Sequence, residues 1–190
     1  MTIKNFIDGA VARLGGLYSE PEGKAIAFRL VEHFLQLPSY KYIAEPGLEV
    51  EDGNAVLMED ALVQLSTGRP LQYVLGYAEF CGHRFKVREG CLIPRPETEM
   101  LVERVLTDVG NADCQLRMVD AGTGSGAIAI TLKCALPRAE VSAFDVSATA
   151  LRVAADNAKR LGADVNFFTA DMLSPDLPLE TYDMIVSNPP

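Results

Sequence analysis

The chain has 190 residues, 48% of them hydrophobic, and a net charge of −9 at pH 7. That apolar content can bury a core, which excludes a disordered chain, and the acidic balance argues against a broad nucleic-acid-binding face. No run approaches the ~18 apolar residues of a membrane span, and the first residues lack a signal-peptide pattern, so a cytoplasmic protein is expected.

Ile3, Phe6, Ile7, Ala10, Val11 and Leu14 share one helical face, and Gly15-Gly16 ends that helix. Ser19 and Pro21 start a second, which carries Ile26, Leu30, Val31 and Phe34 and stops near Pro38. A short turn over 40–47 leads to a third helical segment over 54–68, with Gly68 as its cap. Residues 1–75 thus read as a small helical bundle without a catalytic constellation. "AEFCG" and "HRFKV" around a glycine predict a hairpin within a 76–94 linker. Pro96 can open a helix over 96–109, with Glu97 and Glu99 near its positive end.

From Leu116 onward, strands and helices alternate. Strands are predicted over 116–120, 140–146, 165–171 and 182–186, and helices over 126–136 and 147–162. Ser147 and Gly162 are ready caps for the second of these helices. Such alternation means βαβ units and a parallel sheet. The fold class is therefore α/β, with the helical bundle first, a connecting β-hairpin, and a Rossmann-like sheet over 95–190.

Cysteines Cys81, Cys91, Cys114 and Cys134 are widely spaced, and two histidines, His33 and His83, are available to join them. Reduced, mostly buried thiols are expected, and no metal site.

"DAGTGSGAIA" follows the first of these strands and opens a helix. Gly122, Gly124 and Gly126 let the backbone turn tightly and approach a ligand. Gly122, Gly124 and Ala127 also fit a dinucleotide-binding loop, and a tight turn with no ligand would look the same. Asp120 separates the readings. A carboxylate there would repel a pyrophosphate but attract a cation, such as the ammonium or sulfonium of S-adenosylmethionine (SAM). Asp145 ends the next strand, where it can accept hydrogen bonds from both ribose hydroxyls. Asp171 and Met172 follow the third strand and could border the adenine.

The run "YDMIVSNPP" closes the sequence. Asn188 stands at the carboxyl end of a strand, where open α/β sheets bind ligands. Its side-chain carbonyl and the Pro189 backbone carbonyl could accept from both N–H groups of a planar NH₂. Two such acceptors would fix the amine against a methyl donor and stabilise charge growing on nitrogen. Asn188 and Pro189 are the expected catalytic residues, with Pro190 stiffening the turn.

"GRPLQYVLGYAEFCGHRFKVREGCLIPRPETE", "DAGTGSGAIAI", "FDVSATAL" and the closing "NPP" occur in the order and spacing of one family. The chain resembles the bacterial peptide chain release factor glutamine methyltransferases, with "IPRPETE" as the most specific piece. The resemblance implies a class I SAM-dependent methyltransferase acting on the glutamine amide of a release factor's Gly-Gly-Gln motif. The helical domain would recognise the release factor. Gly122, Thr123, Gly124, Ser125, Gly126, Asp145, Met172 and Asn188 would line the SAM site, and Asn188, Pro189 and Pro190 would bind the glutamine.

The family pattern continues with a tyrosine and three further strands. The resemblance therefore implies a truncated sheet whose fourth strand is an exposed apolar edge, and a fragment inactive by itself. Two alternatives use the same residues: a nucleic-acid amino-methyltransferase, and a non-catalytic module binding SAM or a release factor.

Overall fold

The computed structural model describes residues 1–110, 115–175, 177 and 181–189. The chain divides into two compact units, 1–75 and 76–190. Among the described residues, no helix is long and apolar enough to cross a membrane.

The first unit is built from helices α1 (Ile3–Leu14), α2 (Glu20–Leu35), α3 (Ser39–Ala44), α4 (Asp52–Ser66) and α5 (Leu71–Leu75). Thr2 caps α1, its hydroxyl oxygen accepting the Asn5 N–H at 3.2 Å. Ser19 starts α2 as expected, donating its N–H and its hydroxyl to the Glu22 carboxylate. Ile3, Phe6, Ala10 and Leu14 of α1 meet Leu30 and Val31 of α2 and Met58, Leu62 and Leu65 of α4 in one core. The stretch read as a turn over 40–47 holds α3 in its first half. Gln36 in the left-handed conformation ends α2, and extended Pro38 lets the chain re-enter a helix at once.

The second unit opens with a hairpin, β1 (Tyr77–Phe80) and β2 (His83–Lys86), paired so that Phe80 faces His83. Its two-residue turn, Cys81-Gly82, has positive φ at both positions, as a primed hairpin turn requires. Cys81 is a strained choice there, and the Glu99 carboxylate holds it by accepting its N–H at 2.8 Å. Glu99 lies in helix α6 (Pro96–Val109), which begins at Pro96 as expected. Helices α7 (Ala127–Ala135) and α8 (Ala148–Leu161) follow. Ser147 and Gly162 cap α8 as predicted.

Strands β3 (Arg117–Ala121), β4 (Glu140–Asp145), β5 (Val165–Thr169) and β6 (Met184–Ser187) form one parallel sheet in the order β5-β4-β3-β6. Strand alternation puts Met118, Val141, Ala143 and Val186 on the face packed with Val102, Val105, Ile130 and Leu132 of the helices. Val119, Ala121 and Phe144 face the other way, packed with Phe168 and Tyr182. Strand β6 begins later than the predicted 182. Asp183 is spent on docking: its N–H donates to the Arg117 carbonyl and its carboxylate accepts the Arg117 N–H, both at 2.8 Å. Among the described residues β6 pairs with β3 alone, and its Ile185 is 59% exposed. Of the described cysteines, Cys91 is buried, Cys81 half-buried and Cys134 exposed, so the thiols are less buried than expected.

Candidate active site

The carboxyl ends of the four strands meet around a cavity of about 290 Å³. After β3 the chain turns through Gly122 and Gly124, both at positive φ. The N–H groups of Gly122 and Thr123 donate to the Phe144 carbonyl at 2.9 and 3.0 Å, which stitches the loop to the end of β4. Asp145, the last residue of β4, then organises two neighbours. One carboxylate oxygen accepts the Gly124 N–H at 2.9 Å and the other accepts the Ser147 N–H at 2.8 Å. A carboxylate offers about four lone-pair positions, so Asp145 keeps capacity for two more donors.

Asn157 supports the loop from behind. It is fully buried on α8, where its amide donates to the carbonyls of Ser125 and Lys86 at 3.0 Å each. Its carbonyl oxygen accepts the Lys86 N–H at 2.7 Å. The glycine loop, α8 and hairpin strand β2 are thereby joined through one side chain.

Of the residues expected at the site, Gly122, Thr123, Gly124, Ser125, Asp145, Asp171, Met172, Asn188 and Pro189 line the cavity. Met172 packs close to Gly122, its methyl lying 3.7 Å from where a Cβ on that glycine would stand. Asp171 is anchored at its own turn, accepting the Leu173 N–H at 2.9 Å. Pro190 lies outside the described residues.

Gly126 is placed differently. A Cβ there would sit 2.7 Å from Ile130 Cδ1 and 3.1 Å from Ala154 Cβ. The glycine serves the close approach of α7 and α8, not that of a ligand.

Asp120 also needs correction. It shares the strand face of Met118, beneath α7, and is 2% exposed and absent from the cavity lining. One carboxylate oxygen accepts the Thr123 hydroxyl at 2.6 Å and the Ala129 N–H at 3.3 Å. The other is buried with no hydrogen-bond partner. Asp120 thus braces the glycine loop from below, where it had been expected to face a cationic ligand directly.

Burial pushes the Asp120 carboxyl from 3.8 up to about 6, against the opposing pull of its hydrogen bonds to Thr123 and Ala129. A raised folded-state value means a stabilising contribution complete below the ordinary value and lost as pH rises through about 6. Wild type should therefore gain roughly 1 kcal/mol over Asp120→Asn on going from about pH 7.5 to about pH 5. Urea unfolding of both proteins at the two pH values checks this; a constant difference between them would contradict the raised value.

Sequence reasoning missed a whole wall of the cavity. Gly90 to Arg95 line it, together with Phe80 and Thr98. Thr98 is 8% exposed in the first turn of α6, and its hydroxyl oxygen accepts a hydrogen bond from Asn188 Nδ2 at 2.7 Å. The available signal was "IPRPETE" itself, a proline-rich stretch running into a helix and given no role. Arg95 brings a cation to a lining that also holds the carboxylates of Asp145 and Asp171.

Residues 7–76 match the family model described as PrmC N-terminal domain, and residues 96–190 match the one described as Methyltransferase small domain. The release factor glutamine methyltransferase of Flavobacterium psychrophilum is 38% identical over 192 aligned residues, covering all of this chain and 67% of that protein. That of Koribacter versatilis is also 38% identical, again covering all of this chain and 67% of its own length. The Enterococcus faecalis protein of the same name is 53% identical over 129 residues, which are 68% of this chain and 46% of that protein. The chain thus spans about two thirds of the length of the two relatives that match it throughout. With two family models in tandem and 38% identity over the whole of this chain and two thirds of each relative, the chain belongs to the release factor glutamine methyltransferase family.

Proposed function

We propose that the protein methylates the side-chain amide nitrogen of the Gly-Gly-Gln glutamine in peptide chain release factors, with SAM as the methyl donor. The observation that carries this reading is that Asn188 and Pro189 line the same cavity as the glycine loop and Asp145. A clamp for a planar amine and a cradle for a nucleoside therefore share one space.

The residues present fit SAM. Gly122 and Gly124 leave backbone where a side chain would otherwise stand, and Asp145 keeps lone pairs for a ribose diol after serving Gly124 and Ser147. Asp171 and Met172 offer a carboxylate and a thioether to the adenine side. When bound, SAM supplies a methyl group made electrophilic by its sulfonium. Asn188 and Pro189 then orient the acceptor. Their carbonyl oxygens take the two N–H groups of the glutamine amide, so the nitrogen lone pair is held toward the methyl. The same acceptors stabilise positive charge developing on that nitrogen. That charge is discharged when one of its two N–H groups releases its proton to water; the thioether left by the donor would depart as the second product.

Residues 1–75 serve as the release-factor recognition unit in this reading. Helix α4 leaves Val56 and Val63 exposed seven positions apart on one face, apolar surface suited to a protein partner. The setting would be the cytoplasm, where release factors act.

The test is transfer of labelled methyl from SAM, by a chain extended to the length of its relatives, to a purified release factor, beside one whose Gly-Gly-Gln glutamine is replaced by alanine. Label on the first and none on the second is expected. Equal labelling of both, or label on nucleic acid in place of protein, would overturn the proposal.

A further inference from the structure

We propose that Thr98 is a positioning residue for Asn188, holding its side-chain amide beside the cavity; this rests on the methyl-transfer reading above. In the reading above Asn188 accepts from the incoming amine through its side-chain carbonyl, so its amide has to stand at the cavity. Strand β6 fixes the backbone, with Ala121 paired to Ser187 and the Ser187 hydroxyl donating to the Ala121 carbonyl at 2.7 Å. Backbone pairing does not choose the side-chain orientation.

The side chain is held from α6. Asn188 Nδ2 donates to Thr98 Oγ1 at 2.7 Å, which ties the amide to the helix beside the cavity. Thr98 is itself held. It is 8% exposed, its N–H donates to the Arg95 carbonyl at 3.0 Å, and neighbouring Glu99 grips the hairpin turn at Cys81. Two adjacent residues of "PETE" thus have separate tasks: Glu99 anchors the helix start to the hairpin, and Thr98 orients the clamp.

The test uses a chain extended to the length of its relatives, with Thr98→Val, which keeps the shape and removes the hydroxyl, and Thr98→Ser, which restores the hydroxyl. Turnover on a release factor should fall about tenfold in Thr98→Val and return to within about twofold in Thr98→Ser, as loss of one oriented hydrogen bond predicts. SAM affinity and melting temperature should stay near wild type in both, which a merely structural role would not allow. Wild-type turnover in Thr98→Val, or equal impairment in both variants, would overturn the assignment. If the wild-type chain methylates no release factor, the reaction reading fails by itself, and a second measurement still decides about Thr98. With ¹⁵N-labelled asparagine, hydrogen exchange of the Asn188 side-chain NH₂ should be slowed in wild type and Thr98→Ser and fast in Thr98→Val. Equal exchange in all three would overturn the positioning role.

Discussion

In a chain extended to the length of its relatives, replacing Asn188 with alanine is expected to cut methyl transfer to a release factor by about 10²–10³-fold, the cost of losing one acceptor aimed at developing charge, ~2.7–4 kcal/mol. SAM binding should change far less, because the glycine loop and Asp145 remain. The separation follows from position. Asn188 is exposed at the mouth of the cavity, so its removal opens no hole in the core. Thr98, left without its partner, lies beside the same cavity and can be satisfied by water. The acceptor matters most when positive charge grows on the amide nitrogen, so the loss belongs to turnover. Single-turnover rates at saturating SAM, with calorimetric SAM affinity alongside, separate the two quantities. Near-normal turnover in Asn188→Ala would remove Asn188 from the chemistry, and a matching loss in SAM affinity would make it a cofactor residue only.

Asp145→Ala should do the opposite, weakening SAM itself by about ten- to a hundredfold. Charge-assisted hydrogen bonds to the ribose are worth roughly 1.5–3 kcal/mol each. The same carboxylate holds the N–H groups of Gly124 and Ser147, so the substitution also frees the loop that must approach the ligand. Asp145→Asn keeps one carbonyl acceptor and should fall between wild type and alanine. Calorimetry on the three proteins orders them, and unchanged affinity in Asp145→Ala would exclude Asp145 from the SAM site.

Local chemistry in the sequence was a good guide to the elements. Ser19, Ser147, Gly162 and Pro96 mark helix ends because capping is satisfied within a few residues. The parallel sheet follows from alternation, but the order β5-β4-β3-β6 depends on which crossovers pack, and no local pattern records that. The cavity lining was legible at the carboxyl ends of strands, where Asp145 ends β4 and Asp171 and Asn188 lie just beyond β5 and β6. It was misread where the side of the strand mattered. Asp120 has the parity of Met118, and Met118 points at the helices, so the carboxylate went under the loop. Gly126 looked like part of a ligand loop, although its missing Cβ makes room for Ile130 and Ala154. The pairing of Thr98 with Asn188 was not legible, since the two lie 90 positions apart and side-chain hydrogen bonds at that range leave no periodicity.

Asn157 has a bearing on how the molecule breathes. Its amide is satisfied only while strand β2 and the glycine loop both lie against α8. Lifting either one alone would strand a buried polar group, at a cost of roughly 1–3 kcal/mol. The two segments are therefore coupled in their excursions from the native state, and opening of the hairpin takes the floor of the cavity with it. A substitution on the hairpin, well away from any ligand, would in this way register as lost affinity.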